Sequence, residues 1–195
     1  MEQSARAQVT LTLAFSANPP FERVPTVIER FIRDVPDFPK PGILFKDITP
    51  LLQDSKAFGH CIEQLLALVP PSSYDVICGI ESRGFLFGAP LALRAGKGFV
   101  PIRKPGKLPY KSVSQSYDLE YGTDKIEIHV DAVQKGQRVL IVDDVLATGG
   151  TMGAAVKLVR QVGGTVAGTC FVMELLFLNG RQRLSDVAVH SLVKY

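Results

Sequence analysis

The chain has 195 residues, enough for one well-packed domain and short for two. Hydrophobic residues make up 46% and charged residues 21%, an ordinary globular balance, and the net charge of +3 is too small to argue nucleic-acid binding from charge alone. The cysteines, Cys61, Cys78 and Cys170, are odd in number, widely spaced and set in apolar runs. That pattern gives neither a disulfide framework nor a zinc site, and reads as small buried side chains in a reducing cell.

No uncharged apolar stretch is long enough to cross a bilayer. Near the N-terminus, Glu2 and Arg6 precede a short apolar run diluted by Thr and Ser, a poor secretory signal. Residues 1–23 read as a disordered or loosely docked extension, with a targeting peptide as the alternative, and 24–195 as one domain. We read the protein as cytoplasmic, with no membrane or nucleic-acid partner.

In chain order, Val27, Ile28, Phe31, Ile32 and Val35 recur at helical spacing after Pro25 and predict a helix. Asp37-Phe38-Pro39-Lys40-Pro41-Gly42 breaks it, and Ile43–Phe45 is briefly extended. Asp54 or Ser55 caps a second helix, striped by Phe58, Ile62, Leu65, Leu66 and Val69 and ended by Pro70-Pro71. Strands and helices then alternate. Val76–Ile80 is a strand, and a helix runs from Gly84 with Pro90 kinking it or near its start. Phe99–Ile102 is the next strand, and Arg103–Asp118 is polar with no clear period. Ile126, Ile128 and Val130 alternate with Glu127 and His129 as a half-exposed strand, and Val139–Val142 is a fully apolar central one. Met152, Ala155, Val156 and Val159 mark a helix closed by Gly163-Gly164, and Val166–Met173 and Val187–Val193 are late strands. The alternation predicts an α/β fold, a single domain with a mainly parallel central sheet flanked by helices. Ligands of such sheets bind beyond the strands' carboxyl ends, so the loops after Ile80, Ile102 and Val142 are the ones to inspect.

The loop after Val142 is the most informative: Asp143-Asp144-Val145-Leu146-Ala147-Thr148-Gly149-Gly150-Thr151. Gly149 and Gly150 let the backbone approach a ligand, and the free N–H groups and dipole of the following helix favour an anion there. Thr148 and Thr151 add hydroxyl donors. No lysine follows the glycines, so this is not a nucleotide-triphosphate loop. Asp143 and Asp144 would repel a phosphate beside them, but they accept hydrogen bonds well from sugar hydroxyls. Carboxylates first and glycines further on measure out a ribose 5-phosphate.

The string resembles the phosphoribosyl pyrophosphate (PRPP) signature of the type I phosphoribosyltransferases. Three further segments narrow the resemblance. They are Gly79-Ile80-Glu81-Ser82-Arg83-Gly84-Phe85, the cationic stretch Arg103–Lys111 followed by Tyr117-Asp118-Leu119-Glu120-Tyr121-Gly122, and Asp37–Pro50. The last is similar to the purine-binding hood of adenine phosphoribosyltransferases, and the resemblance runs from about Val27 to Tyr195.

The resemblance implies the type I phosphoribosyltransferase fold with a small N-terminal hood at 37–50 and a flexible loop at 103–121. It implies transfer of a phosphoribosyl group from PRPP to adenine, giving AMP and pyrophosphate, with Mg²⁺ held mainly by substrate and water rather than by protein ligands. Glu81 and Ser82 would bind pyrophosphate across a non-proline cis peptide, beside Arg83, Arg103, Lys104 and Lys107. Phe45 would stack on adenine, backbone near Leu44 and Lys46 would read its edge, and Leu146 and Ala147 would complete the substrate contacts. Glu120 is the candidate acid/base and Arg83 the other catalytic candidate. Tyr121 would meet a phosphate or pack the closed loop, and the family implies a homodimer. Two other readings stay open at this point: a transferase for another nucleobase, and a PRPP-binding regulator or weakened paralogue.

Overall fold

The computed structural model describes residues 26–118 and 122–195. The expected extension at 1–23 therefore lies outside the described residues.

The stripe Val27–Val35 does not form a helix. A 3-10 turn at Glu29–Phe31 buries Ile28 and Ile32, and the chain then enters strand β1, Arg33–Pro36. β1 pairs antiparallel with β2, Leu44–Asp47, so that Val35 sits opposite Phe45. The helical spacing is overridden by a partner strand ten residues downstream and by the proline at 36, whose restraint on the preceding residue favours extended backbone. Helix α1, Thr49–Gln53, carries Pro50 in its first turn, where a missing N–H is harmless. Asp54 then caps α2, Ser55–Leu68, accepting from Lys56 N at 3.0 Å and Ala57 N at 2.8 Å.

The rest of the chain builds one five-stranded parallel sheet and a separate two-stranded ribbon. Strand β3 is Val76–Ile80, α3 is Arg83–Ala95 with Pro90 inside it, and β4 is Gly98–Ile102. An antiparallel ribbon follows, β5 Ser112–Asp118 against β6 Thr123–His129. Then come β7 Arg138–Leu146, α4 Gly150–Gln161, β8 Thr165–Glu174 and β9 Val189–Lys194. The strand order is β4-β3-β7-β8-β9. From β3 the chain winds outward through α3 to β4, and from β7 it winds the other way through α4 to β8. The reversal lies between β3 and β7, and the crevice beyond their carboxyl ends is where such folds bind ligands.

The sheet is buried on both faces. Ile77, Leu140, Val142 and Cys170 face α2 and α3, whereas Val76, Cys78, Val139 and Ile141 face α4. That double burial explains why β3 and β7 read as unbroken apolar runs. The cysteines are all free and buried, and burial pushes each thiol up to about 12. Ile126 and Ile128 lie in the second core with Tyr117, so the ribbon's inner face packs on the α4 side of the molecule. Among the described residues, no helix is long and apolar enough to cross a membrane.

Candidate active site

A cleft of about 310 Å³ opens at the reversal point. One wall is Ile80, Glu81, Ser82 and Arg83, following β3; the other runs from Asp143 to Met152, at the end of β7 and the start of α4. Lys104 and Tyr117 complete the lining. Twelve of the residues expected in the site are thus brought together: Glu81, Ser82, Arg83, Lys104, Asp143, Asp144, Leu146, Ala147, Thr148, Gly149, Gly150 and Thr151. Arg103, Lys107, Leu44, Phe45 and Lys46 do not line it, and Glu120 and Tyr121 lie outside the described residues.

The paired aspartates are not in a loop. β7 continues through them to Leu146, with Asp143 opposite Phe171 and Leu146 opposite Glu174. Strand geometry alternates their directions, and Asp144 is 1% exposed while Asp143 is partly open. Asp144 Oδ2 lies 3.1 Å from Arg83 Nε, yet it has no hydrogen-bond partner among the described residues. Burial raises the pKa of Asp143 well above the usual carboxylate range, and the neighbouring Asp144 charge raises it further. Burial also raises that of Asp144, against the opposing pull of Arg83.

The turn after β7 is shaped by backbone contact. Gly149 has φ +79°, and a Cβ there would lie 2.5 Å from the Gly180 carbonyl oxygen. Gly180 in turn would place a Cβ 2.2 Å from the Ala147 carbonyl oxygen, so both positions exclude a side chain. Gly180 was not singled out from the sequence, because nothing local to it signals that it abuts the turn after β7. Gly149 N-caps α4 without a side-chain cap, which leaves the first-turn amides available at the cleft. Both Gly149 and Gly150 line the cleft rather than being sealed beneath side chains.

The opposite wall is tied to two neighbours. The Glu81–Ser82 peptide is cis, as expected. The Glu81 carboxylate accepts from Lys107 Nζ at 2.8 Å, from the Lys104 amide at 2.9 Å and from Arg103 Nε at 3.2 Å. Burial would raise its pKa, but these bonds outweigh burial and bring it to about 2. Arg83 also reaches the hood, its guanidinium carbon 5.5 Å from the Phe45 ring centroid. Phe45 is half-buried and packs edge-on against Phe38 at 5.1 Å. Lys46 points elsewhere: its Nζ pairs with Asp34 at 2.5 Å and sits 3.9 Å from the Tyr195 ring centroid. Lys104 pairs with Asp124 and donates to Tyr117 at 3.2 Å, fixing the ribbon to the loop after β4.

Comparison with known proteins agrees with this geometry. The family model described as phosphoribosyl transferase domain matches residues 51–190. The adenine phosphoribosyltransferase of Kosmotoga olearia is 57% identical over 168 residues, 86% of this chain and 99% of that protein. The crystal structure of the Thermoanaerobacter pseudethanolicus adenine phosphoribosyltransferase is 57% identical, covers 86% of this chain and 98% of its own, and superposes with a TM-score of 0.84. The Saccharomyces cerevisiae enzyme, solved with adenine and an imino-altritol bisphosphate, is 43% identical, covers 83% of this chain and 94% of its own, and has a TM-score of 0.78. The chain therefore belongs to the phosphoribosyltransferases, and within them to the adenine phosphoribosyltransferases.

Proposed function

We infer that the protein transfers the 5-phosphoribosyl group of PRPP to adenine, giving AMP and pyrophosphate, the reaction of purine salvage. The observation that carries the reading is the junction of β7 and α4. A buried carboxylate oxygen without a hydrogen-bond partner among the described residues stands next to a glycine turn whose first-turn amides have no side-chain cap. A sugar hydroxyl suits the first and a phosphate monoester suits the second.

In this reaction the bond from the anomeric carbon to pyrophosphate breaks, a bond to adenine nitrogen forms, and the imidazole proton of adenine leaves. Positive charge develops on the ribose and negative charge on the departing pyrophosphate. Asp143 and Asp144 orient the ribose and favour its positive charge. Leu146, Ala147, Thr148, Gly149, Gly150 and Thr151 hold the 5-phosphate. Ser82, Arg83, Arg103, Lys104 and Lys107 receive the pyrophosphate. Phe45 stacks on adenine, and backbone near Leu44 and Lys46 reads its edge. The engagement of Lys46 with Asp34 and Tyr195 supports a backbone rather than a side-chain role in recognition. Glu120 takes the imidazole proton. Tyr121 meets a phosphate or packs the closed loop over the cleft, where it excludes water.

Mg²⁺ fits the donor set. Asp143 and Asp144 are hard oxygen donors at the cleft, and Asp144 Oδ2, ion-paired with Arg83 but without a hydrogen bond among the described residues, suits a hydroxyl or a water of the ion's shell. The ion, held mainly by substrate oxygens and water, supplies charge neutralisation for the pyrophosphate. The protein works in the cytoplasm as a homodimer. Leu86, 43% exposed, and Leu93, 82% exposed, both lie on α3 and support an apolar surface for a second copy.

The test is to incubate purified protein with Mg²⁺, PRPP and each nucleobase in turn. AMP from adenine and no nucleotide from the other bases is the expected result. No product with any base, alongside tight PRPP binding, would overturn the reading in favour of a non-catalytic regulator.

A further inference from the structure

The chemistry assigned above uses the backbone around Glu81 and leaves its side chain unexplained. That side chain is 10% exposed and lines the cleft, where a carboxylate beside an incoming polyanion is a liability by charge alone. Its surroundings suggest what it does. Among the described residues, every hydrogen bond it accepts comes from one segment, Arg103 to Lys107. Oε1 takes Lys107 Nζ at 2.8 Å and Arg103 Nη2 at 3.4 Å, and Oε2 takes Arg103 Nε at 3.2 Å and the Lys104 amide at 2.9 Å. The two side chains involved are among those expected to neutralise pyrophosphate.

Both sides of this clamp are anchored by main chain. The Glu81 amide donates to the Ile102 carbonyl at 2.8 Å, which fixes it to the end of β4. Arg103 exchanges hydrogen bonds with Glu127 of β6 at 2.9 and 2.8 Å, and its Nη1 donates to the Lys107 carbonyl at 3.1 Å. Only the side-chain tips are left to choose a partner. Lys107 is 51% exposed and Arg103 33% exposed, so both can turn from Glu81 toward a ligand without moving the strands.

We propose that the Glu81 carboxylate is an internal counter-anion, which holds Arg103 and Lys107 while the pyrophosphate place is empty and reclaims them as pyrophosphate leaves. It rests on the transferase reading above and makes Glu81 a positioning residue, acting through two cations rather than on substrate. The competing role is a plain tether for the loop after β4. The two roles predict opposite signs. If Glu81 competes with pyrophosphate, removing its charge frees the cations and removes a like charge, so pyrophosphate binds more tightly. If it only tethers, removing its charge lets the cations drift and pyrophosphate binds more weakly.

The experiment titrates Mg-pyrophosphate calorimetrically into the full-length protein, wild type and Glu81→Gln, and measures pyrophosphate inhibition of AMP formation. Gln keeps the shape and drops the charge. The expected result is a Kd and an inhibition constant about tenfold lower for the variant, the scale of one charge-assisted hydrogen bond, with KM for adenine unchanged. Glu81→Asp, which keeps the charge on a shorter arm, should lie between wild type and Gln, and serves as the reading if Gln impairs folding. Equal or weaker pyrophosphate binding in these variants, with a wild type that binds it, would overturn the counter-anion and leave the transferase reading intact. A wild type that neither binds pyrophosphate nor makes AMP would overturn both.

Discussion

Replacing Arg83 by Met tests whether its pairing with Asp144 joins stability to function. Asp144 is 1% exposed, and Arg83 Nε at 3.1 Å is its ion-pair partner. Removing one member of a fully buried pair costs about 3–5 kcal/mol. The Arg83 side chain is 39% exposed, so water already screens part of the interaction, and a loss of about 1–3 kcal/mol is the expected range. For a chain of this size that corresponds to a fall in Tm of roughly 2–12 °C. The pH dependence gives the diagnostic. The folded-state pKa of Asp144 is raised, so its ionised form is the one the fold penalises. That penalty is present at high pH and is relieved as pH falls and the carboxyl is protonated. The variant should therefore lose more stability at pH 8 than at pH 5. Adding Asp144→Asn should restore much of the stability while activity stays lost. The assay is thermal melting at both pH values, with AMP formation measured in parallel. A loss of equal size at both pH values, or none at pH 8, would refute the assignment of an uncompensated carboxylate.

Asp143→Asn should raise the melting temperature of the unliganded protein, because the native carboxyl is disfavoured by burial and by Asp144, and should weaken PRPP binding; a lower Tm would contradict the first half. Gly149→Ala should destabilise by about 2–4 kcal/mol, since a side chain at φ +79° is strained and its Cβ would meet the Gly180 carbonyl at 2.5 Å; denaturant melting checks this, and a neutral substitution would contradict it. Glu120→Gln should lower kcat by about 10²–10⁴ with PRPP affinity preserved, as removal of a general acid/base does; near-normal turnover would remove Glu120 from the chemistry.

What was legible in the sequence follows from how local each signal is. β3 and α2 were read nearly to the residue, because a fully apolar run and a capped stripe carry their own period. The turn at the cleft was legible because the residues that line it are contiguous, from Asp143 to Thr151. The stripe Val27–Val35 misled, because pairing with Leu44–Asp47 is a non-local event that spacing does not record. β5 was missed because Ser112, Ser114 and Ser116 dilute it, and its inner residue Tyr117 is buried only once the ribbon folds onto the α4 side. The close approach of Gly180 to Gly149, and the pairing of Glu81 with Arg103 and Lys107, join segments 31 and over 20 residues apart, and no window along the chain contains them.

The most direct measurement is a crystal structure with AMP and Mg-pyrophosphate bound. The expected result is the AMP phosphate on the amides that open α4 near Gly150, the ribose hydroxyls on Asp143 and Asp144, and pyrophosphate between Ser82–Arg83 and the cations following β4. A nucleotide phosphate seated away from the start of α4, or a ribose that leaves both carboxylates untouched, would contradict it.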